Sequence, residues 1–429
     1  MQLVAYGAQD VYLTGNPQIT FFKVMYRRHT HFSLESIEQT FNGAVNFGKK
    51  VTCTISRNGD LIHRMYLRVE VPGLKDNLTN TSLGRWVDYL GHALIKTVDV
   101  EIGGQRIDRQ YGEWMHVWNE LTQTAGHQMG YNTMIGMHPS MTTPMVAGAP
   151  QDDIRPYIMY IPLQFWFCRN PGLALPLIAL QYHEIKINFE FRDLKDLLIT
   201  APRTEVIVQG EMNASLFVDY IFMDTDERRR FAQVTHEYLI EQVQLSGAES
   251  VPDNTTNVPS SVKTKLQLNH PCKELVFFVS DQSNVESKNW FDYSTGPAST
   301  TRPFILPPAG GTNGLVTTGR TGRINPVLTC RLQLNGHDRF SDRDGMYFNV
   351  VQPYQHHENV PSTGINVYSF ALKPEEHQPS GTCNMSRIDN ATLQMTLAPM
   401  AAGSLVYVFA TNYNVLRIMS GMGGLAYSS

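Results

Sequence analysis

Long apolar runs, closely spaced cysteines and an excess of positive charge are all missing from this sequence of 429 residues. The longest apolar run, Leu173 to Leu180, is interrupted by Pro176 and is far shorter than the roughly 20 residues that span a bilayer. The N-terminal ten residues lack the basic and apolar regions of a signal peptide. We therefore expect a soluble protein that is made in a reducing cytosol.

Charge and cysteine content exclude further classes of protein. A net charge of −4 gives no bulk attraction to nucleic acid or to anionic membranes. The five cysteines are odd in number and widely separated, which argues against a disulfide framework or a structural zinc site. With 42% hydrophobic and 17% charged residues the chain is not disordered, and its length predicts two or three domains.

Short segments in which apolar and polar residues alternate are abundant. In one of them, Val51, Cys53 and Ile55 would share one face of a strand. Gly103 and Gly104 follow another and predict a hairpin turn. The clearest segments are 50–56, 94–102, 157–167, 184–191, 205–209, 215–223, 273–279 and 404–410. Their β-branched and aromatic residues, bounded by turn-forming residues, predict an all-β sandwich.

Helical signals are scarce. An apolar stripe at helical spacing predicts a helix over 111–123 whose side chains pack in a core; its members are Trp114, Val117, Trp118 and Leu121. Residues 226–233 predict a short helical linker, with Asp224 or Thr225 as its N-cap.

The two halves of the sequence echo each other. Arg-Arg, Thr-His and Ile-Glu-Gln occur in the same order around Ile37 and Ile240, which lie 203 positions apart. A strand pattern, a glycine turn and an Asp–Arg pair recur around Gly104 and Gly336, 232 positions apart. These echoes indicate that one unit is used twice.

A weaker echo relates Gly172 to Gly381, and their offset of 209 positions is smaller again. This rise and fall of the offset predicts one insertion in each half. The first would be a helix and loop from Tyr111 to Pro156, and the second a polar loop from Asp281 to about Pro326. The sequence therefore predicts one β-sandwich used twice, divided between residues 223 and 230.

One motif resembles the start of a phosphate-binding loop. Gly43 to Lys50 reads GxxxxGK, but Lys50 stands where Ser or Thr would bind magnesium, and a strand pattern follows instead of a helix. We interpret the segment as a hairpin turn between strands.

Histidines suggest metal sites without completing one. His29, His31 and Glu35 have the spacing of a cupin metal site, but no second half with a further histidine follows. His236 and Glu237 could begin a zinc-binding HExxH motif, but Ile240 stands where that motif requires its second histidine.

The remaining candidate is His356 beside His357, which lies in a polar loop and is predicted to be exposed. We predict no catalytic, cofactor-binding or metal-ligating residue, no cofactor and no enzymatic activity.

The sequence resembles the major capsid proteins of large icosahedral double-stranded DNA viruses, close to the chlorella-virus type. The segments that carry the resemblance keep their order along the chain: Gly7 to Lys23, Tyr26 to Gly43, Ser56 to Ile62, Glu101 to Asp108, Pro171 to Glu184, Val218 to Gln233, His236 to Gln242, Leu334 to Phe340, Tyr347 to Gln355, Pro379 to Leu393 and Asn412 to Tyr427.

The resemblance implies two tandem eight-stranded antiparallel jelly-roll sandwiches with few short helices in loops. It also implies a homotrimer that forms a pseudo-hexagonal capsomer and tiles an icosahedral shell, with minor capsid and penton proteins as further partners. An inner membrane would lie beneath the shell, without a membrane-spanning segment in this chain and without sequence-specific nucleic acid binding. The protein would be made and assembled in the host cytoplasm and reside in the virion capsid.

Two other functions stay open from the residues. A carbohydrate-binding jelly roll would need an aromatic platform with nearby carboxylates. A cupin-like metalloenzyme would bind metal at His29, His31 and Glu35.

We predict four segments: an N-terminal arm over 1–25, a first jelly roll over 26–223, a linker over 224–230 and a second jelly roll over 231–429. The arm is apolar and carries one charged side chain, Asp10, before Lys23. Leaving it in water would be costly. We predict that it runs along the inner face of the trimer and contacts neighbouring subunits or inner shell components.

Overall fold

The computed structural model describes residues 3–76, 84–145, 153–200, 206–252, 258–295 and 324–427. Antiparallel β-strands dominate and form two sandwiches, one in each half of the chain. The strands of the first half are β1 (Phe32–Gln39), β2 (Lys50–Thr54), β3 (Leu61–Val71), β4 (Gly73–Asp76), β5 (Gly84–Trp86), β6 (Ile95–Ile102), β7 (Gln105–Tyr111), β8 (Asp153–Ile154), β9 (Tyr157–Pro162), β10 (Leu175–Pro176), β11 (Ile185–Phe191), β12 (Leu198–Thr200), β13 (Val206–Gln209) and β14 (Asn213–Met223).

The second half repeats this arrangement. Its strands are β15 (His236–Ser250), β16 (Ser260–Leu266), β17 (Pro271–Ser280), β18 (Val327–Leu334), β19 (His337–Asp338), β20 (Arg343–Asp344), β21 (Asn366–Ser369), β22 (Cys383–Asn384), β23 (Ala391–Leu397), β24 (Leu405–Met419) and β25 (Met422–Leu425).

Helices are short and lie in the connections. They are α1 (Val11–Thr14), α2 (Leu90–Leu94), α3 (Gly112–Thr122), α4 (Ala125–Met134), α5 (Pro139–Thr142), α6 (Trp166–Arg169), α7 (Leu194–Leu197), α8 (Thr225–Gln233), α9 (Gln282–Glu286) and α10 (Gln352–His356), with a π-helical stretch at Tyr347–Val351. Among the described residues, no helix is long and apolar enough to cross a membrane.

Strand order identifies each sandwich as a jelly roll. In the first, β1-β14-β3 with β9 and β10 on β3 faces β2-β11-β6-β7. In the second, β15-β24-β17-β21 faces β16-β23-β18-β19, so the principal strands of the two sandwiches correspond, whereas the small sheets β5-β12 and β4-β8-β13 occur only in the first half of the described chain. The prediction of two tandem jelly rolls is confirmed. We call the β1-containing and β15-containing sheets the B sheets, and their outer faces are those turned away from their own sandwich core.

Register shows how closely the two jelly rolls correspond. The hairpin at Gly103 and Gly104, both with positive φ, has its counterpart at Asn335 and Gly336, which also have positive φ. At the other end of the pair, Thr97 lies opposite Tyr111 as Thr329 lies opposite Asp344. The predicted duplication therefore holds along β6 and β18 at a constant offset of 232 positions and shifts by one residue along the strand that follows.

A helix begins directly after each of these positions. Gly112 opens α3, and Gly345 opens a second helical segment, 345–356, which ends as α10. A side chain at either glycine would collide with a backbone carbonyl, that of Ile95 or that of Val327, the first residue of β6 or β18. We predicted α3 as part of an insertion in the first half, and this is wrong: α3 has a counterpart, which we call the second helix. Within 111–156, the described elements without a counterpart are α4, α5 and β8.

Other predicted elements agree with the structure or differ from it over a few residues. The helix over 111–123 is observed as α3, and α8 begins after Asp224, whose carboxylate accepts a hydrogen bond from the Thr225 N–H at 2.8 Å. The predicted strand 157–167 ends at Pro162, and its last residues form α6, because this chain segment leaves the sheet edge there.

The segment Gly43 to Lys50 turns the chain between β1 and β2, as predicted, and an isolated antiparallel bridge joins Asn42 to Thr52 across it. It is not a simple hairpin loop, because β1 and β2 belong to opposite sheets, and strand β2 rather than a helix follows it. The predicted long loop from Asp281 to Pro326 contains α9, but its residues 296–323 lie outside the described part of the chain. Regular structure of the first jelly roll begins at Phe32, and the four-segment division remains a prediction.

Candidate assembly surfaces and the seam between the jelly rolls

The two jelly rolls contact each other through unlike surfaces. Edge strand β15 of the second lies beside edge strand β7 of the first. Asp108 accepts a hydrogen bond from the Val243 N–H at 3.1 Å, and the Gln242 side chain donates to the Ile107 carbonyl. Burial raises the pKa of the Asp108 carboxyl to about 7, against the lowering effect of the hydrogen bond from Val243. We call this whole contact the seam.

Helix α3 carries the apolar part of the seam. The rings of Trp114 and Tyr111 lie 5.5 and 5.7 Å from the ring of Phe409, which is on the outer face of the second B sheet. The Arg169 guanidinium sits 4.1 Å above the Trp118 ring. The predicted stripe of α3 is therefore buried, but against the other jelly roll as well as its own.

A buried ionic cluster lies at one end of the seam. Glu241 accepts from Lys273 at 2.8 Å and from Arg169 of the first jelly roll at 3.1 Å. Burial by itself would raise the pKa of Glu241. Hydrogen bonding to His377 and the charges of Arg169 and Lys273 outweigh that effect and lower the pKa to about 2.

His357 extends this cluster, and our prediction that it is exposed is wrong. Its side chain is fully buried, with Nε2 lying 3.0 Å from Glu274 and Nδ1 lying 2.8 Å from Glu375. Burial lowers the pKa of His357, but the two carboxylates outweigh burial and raise it to about 9. The neighbouring His356 is half-buried and contacts the Leu372 carbonyl.

Charge balance explains how these groups tolerate burial together. Three carboxylates, of Glu241, Glu274 and Glu375, are matched by the cations of Arg169, Lys273 and protonated His357. A buried charge is stable when it is paired, and removing one partner leaves another charge uncompensated. The sequence analysis did not predict this cluster. Lys273 and Glu274, two charged residues at the start of an otherwise apolar strand, are the sequence feature that could have indicated it.

The residues with metal-like spacing do not meet. His29 and His31 are exposed and precede β1, and Glu35 is exposed on that strand. His236 Nε2 contacts the Phe231 carbonyl at 2.7 Å. Within the described residues, no three His, Cys, Asp or Glu side chains are grouped so as to hold a metal ion.

A cavity of about 200 Å³ opens beside the seam, between His116 and Glu120 of the first jelly roll and Trp290 and Phe291 of the second. A carbohydrate site would need free aromatic faces here. Instead, the His116 ring stacks on Phe291 at 4.3 Å, and the Arg192 guanidinium covers Trp290 at 4.2 Å. The aromatic groups of this cavity hold the two jelly rolls together.

The N-terminal arm presents the most exposed apolar side chains. Leu3 and Phe22 are each 98% exposed, and no side chain between Leu3 and Met25 is buried. From residue 3 to 25 the arm forms a 3-10 turn at Ala8–Asp10 followed by α1, and none of these residues joins a sheet. An apolar segment in this state has surface available for another molecule.

Comparison with known proteins places these features in context. Residues 20–224 match the family described as "Major capsid protein N-terminus", and residues 227–424 match "Large eukaryotic DNA virus major capsid protein". The major capsid protein of Pyramimonas orientalis virus is 54% identical over 453 residues and that of Paramecium bursaria Chlorella virus 1 is 43% identical over 458 residues. Both alignments cover 100% of this chain and 99% of the relative.

A solved structure agrees with these relatives. The PBCV-1 VP54 crystal structure, fitted into a reconstruction of the virophage Sputnik, superposes with a TM-score of 0.77 at 36% identity. The match covers 96% of this chain and 100% of that one.

Proposed function

The chain belongs to the family of major capsid proteins of large eukaryotic DNA viruses, and we propose that three copies of it form a pseudo-hexagonal capsomer. As a member of this family it is a structural component of the virion capsid and not an enzyme. Its two jelly rolls would supply six similar domains to the capsomer, with neighbouring capsomers as its partners in the shell.

The seam is the observation that carries this proposal. Two units of the same topology meet there through unlike surfaces, the β15 edge of one against β7 and α3 of the other. A contact between unlike surfaces leaves one free surface of each kind, and repeating it builds a ring where the rotation closes. Three chains that alternate first and second jelly rolls would close such a ring with six domains.

The shell would need further contacts. We propose that the exposed arm contacts neighbouring subunits or minor capsid and penton proteins on the inner side, where an internal membrane would lie. The chain would be made and assembled in the host cytoplasm, and no direct sequence-specific contact with nucleic acid is expected from its net charge of −4.

Light scattering coupled to size-exclusion chromatography tests the trimer. The full-length protein at micromolar concentration should have about three times the chain mass of 48.5 kDa, and it should keep that mass on dilution because such interfaces are large. A monomer under these conditions would contradict the proposal.

A further inference from the structure

Two of the five cysteines are far apart in the sequence but adjacent in the second jelly roll. Cys272, near the start of β17, lies directly opposite Cys383 of β22, which is 111 positions further along the chain. The Met385 N–H donates to the His270 carbonyl at 3.0 Å and continues this pairing. Residues that lie opposite each other on antiparallel strands point to the same side of the sheet, so the two thiols share one face.

That face is turned to the core of the second jelly roll. Cys272 is fully buried among the apolar side chains of this core, and Cys383 is half-buried and packs against them. Opposite residues of antiparallel strands have Cα atoms about 4.5 to 5.5 Å apart. A disulfide joins residues whose Cα atoms are about 4.4 to 6.8 Å apart. The strand pairing therefore places the two cysteines at a separation that a disulfide can bridge.

The other three cysteines have neighbours of a different kind in the described strand pairing. Cys53 lies opposite Ile187. Cys330 lies opposite Met395, and Cys168 belongs to the short helix α6. The contact between Cys272 and Cys383 is therefore specific to this place in the fold.

We propose that Cys272 and Cys383 form a redox site, which closes to a disulfide when the capsid meets a small-molecule disulfide such as oxidised glutathione. Both thiols are free in the structure, as expected for a protein made in a reducing cytosol. A capsid leaves that compartment with the virion, and disulfides form and persist in oxidising surroundings outside the cell. The site depends on the place of the chain in the virion capsid and not on the number of chains in a capsomer.

Cys383 is the thiol that reacts first, because it is the more accessible of the two. Burial raises the pKa of Cys383, and the positive charge of Arg339 opposes part of this effect. The Cys383 thiolate attacks one sulfur of the oxidant, so one molecule of thiol leaves and a mixed disulfide remains on Cys383.

Cys272 completes the exchange from the buried side. Burial raises its pKa, and its thiol donates a hydrogen bond to the Glu274 carbonyl at 3.1 Å, so it does not react with an external oxidant. Its sulfur attacks the Cys383 sulfur and expels the second thiol of the oxidant. The two cysteine protons end on the two released thiols, and two electrons pass from the cysteine pair to the oxidant.

The bond would fasten a segment that closes the ionic cluster at the end of the seam. Segment 370–382, between β21 and β22, places Glu375 at 2.8 Å from His357 and His377 at 3.5 Å from Glu241. The disulfide would fix the end of this segment to β17. A disulfide also restricts the unfolded chain, and the more so the longer the loop that it closes. The oxidised protein should therefore be the more stable form.

Oxidation of the folded, full-length protein followed by thiol counting tests the site. The reduced protein is incubated with oxidised glutathione, quenched with acid, denatured and alkylated. The number of free thiols should fall from five to three, and peptide mapping should find Cys272 linked to Cys383. The thermal unfolding midpoint should rise by several degrees. The matched control is Cys330→Ser, which changes a buried cysteine of the same jelly roll and should form the same link.

Single substitutions separate the roles of the two thiols. Cys272→Ser should stop at a glutathione adduct on Cys383, whereas Cys383→Ser should keep all its thiols because Cys272 is inaccessible. Oxidation should raise the unfolding midpoint of neither variant. The proposal is overturned by an unmodified protein that keeps five thiols, by a link between other cysteines, or by an oxidised protein whose midpoint does not rise.

Discussion

The corresponding strands β3 and β17 differ in burial although they occupy the same place in their jelly rolls. Along β3, buried residues alternate with more exposed ones from Arg64 to Val71, whereas every residue of β17 from Cys272 to Val279 is buried. The difference has one cause: the outer face of the second B sheet is covered by α3, and the outer face of the first is open. Topology alone therefore does not determine which face of a strand is apolar; the neighbouring domain does.

The same contrast appears at a single repeated tripeptide. Ile-Glu-Gln occurs at 37–39 and again at 240–242, yet Glu241 is buried with Lys273 and Arg169 while Glu38 is exposed. Identical residues thus differ in environment because only the second tripeptide lies in the seam.

The largest loss of stability should come from neutralising Glu241, with the same substitution at its counterpart Glu38 as the comparison. Glu241→Gln leaves Lys273 and Arg169 without their carboxylate, so we expect the free energy of unfolding to fall by about 3 to 5 kcal/mol. Glu38→Gln should change it by less than about 0.5 kcal/mol. Urea denaturation at one fixed protein concentration measures both. Equal losses in the two variants would contradict the burial contrast.

A smaller loss of stability should follow from a rise in pH. It sharpens the contrast because His357 and its carboxylate partners belong to the second jelly roll. Its pKa is raised to about 9, above the ordinary 6.5, so its stabilising contribution is complete below about pH 6.5 and is lost as pH rises through 9. Between pH 7 and pH 9 this amounts to about 2 kcal/mol.

Urea denaturation at both pH values measures this loss. Asp108, whose pKa is raised to about 7, is half ionised at pH 7, so its remaining titration adds only about 0.4 kcal/mol to the loss in this window. In His357→Gln the loss between pH 7 and pH 9 should largely disappear, although the variant is less stable overall because Glu274 loses its partner. An unchanged pH dependence in that variant would assign the effect to another group.

The smallest effect on the fold should come from removing residues 1–25. Over its described residues, 3–25, the arm contributes no buried side chain and no strand, so far-ultraviolet circular dichroism and the thermal unfolding midpoint should change little. Assembly of trimers or shells should weaken, as followed by light scattering. A variant that assembles like the full-length chain would show that the arm has no role in association.

Much of the fold follows from local sequence. Alternation in 50–56 and 184–191 predicts strands because one face of each is buried in a sandwich core. Gly103-Gly104 predicts its hairpin because both residues adopt positive φ, and Asp224 predicts the start of α8 because its carboxylate caps the helix.

Other features have no local signal. His357 lies in a polar stretch, and its burial depends on Glu274, which is far away in the sequence and adjacent only after β17 forms. The second helix shares little sequence with α3, so their correspondence becomes visible only from the strand register and from the close approach of Gly112 and Gly345 to backbone carbonyls.

By itself, the sequence determined the strands, the duplication, the absence of a recognisable catalytic motif and the resemblance to capsid proteins. Each of these depends only on neighbouring residues or on motifs repeated along the chain. Only the tertiary structure decided which of two equivalent surfaces is covered. Glu241 is buried and Glu38 exposed, and α3 is enclosed whereas Tyr354 is open, because the two jelly rolls pack through unlike faces and leave one face of each kind free.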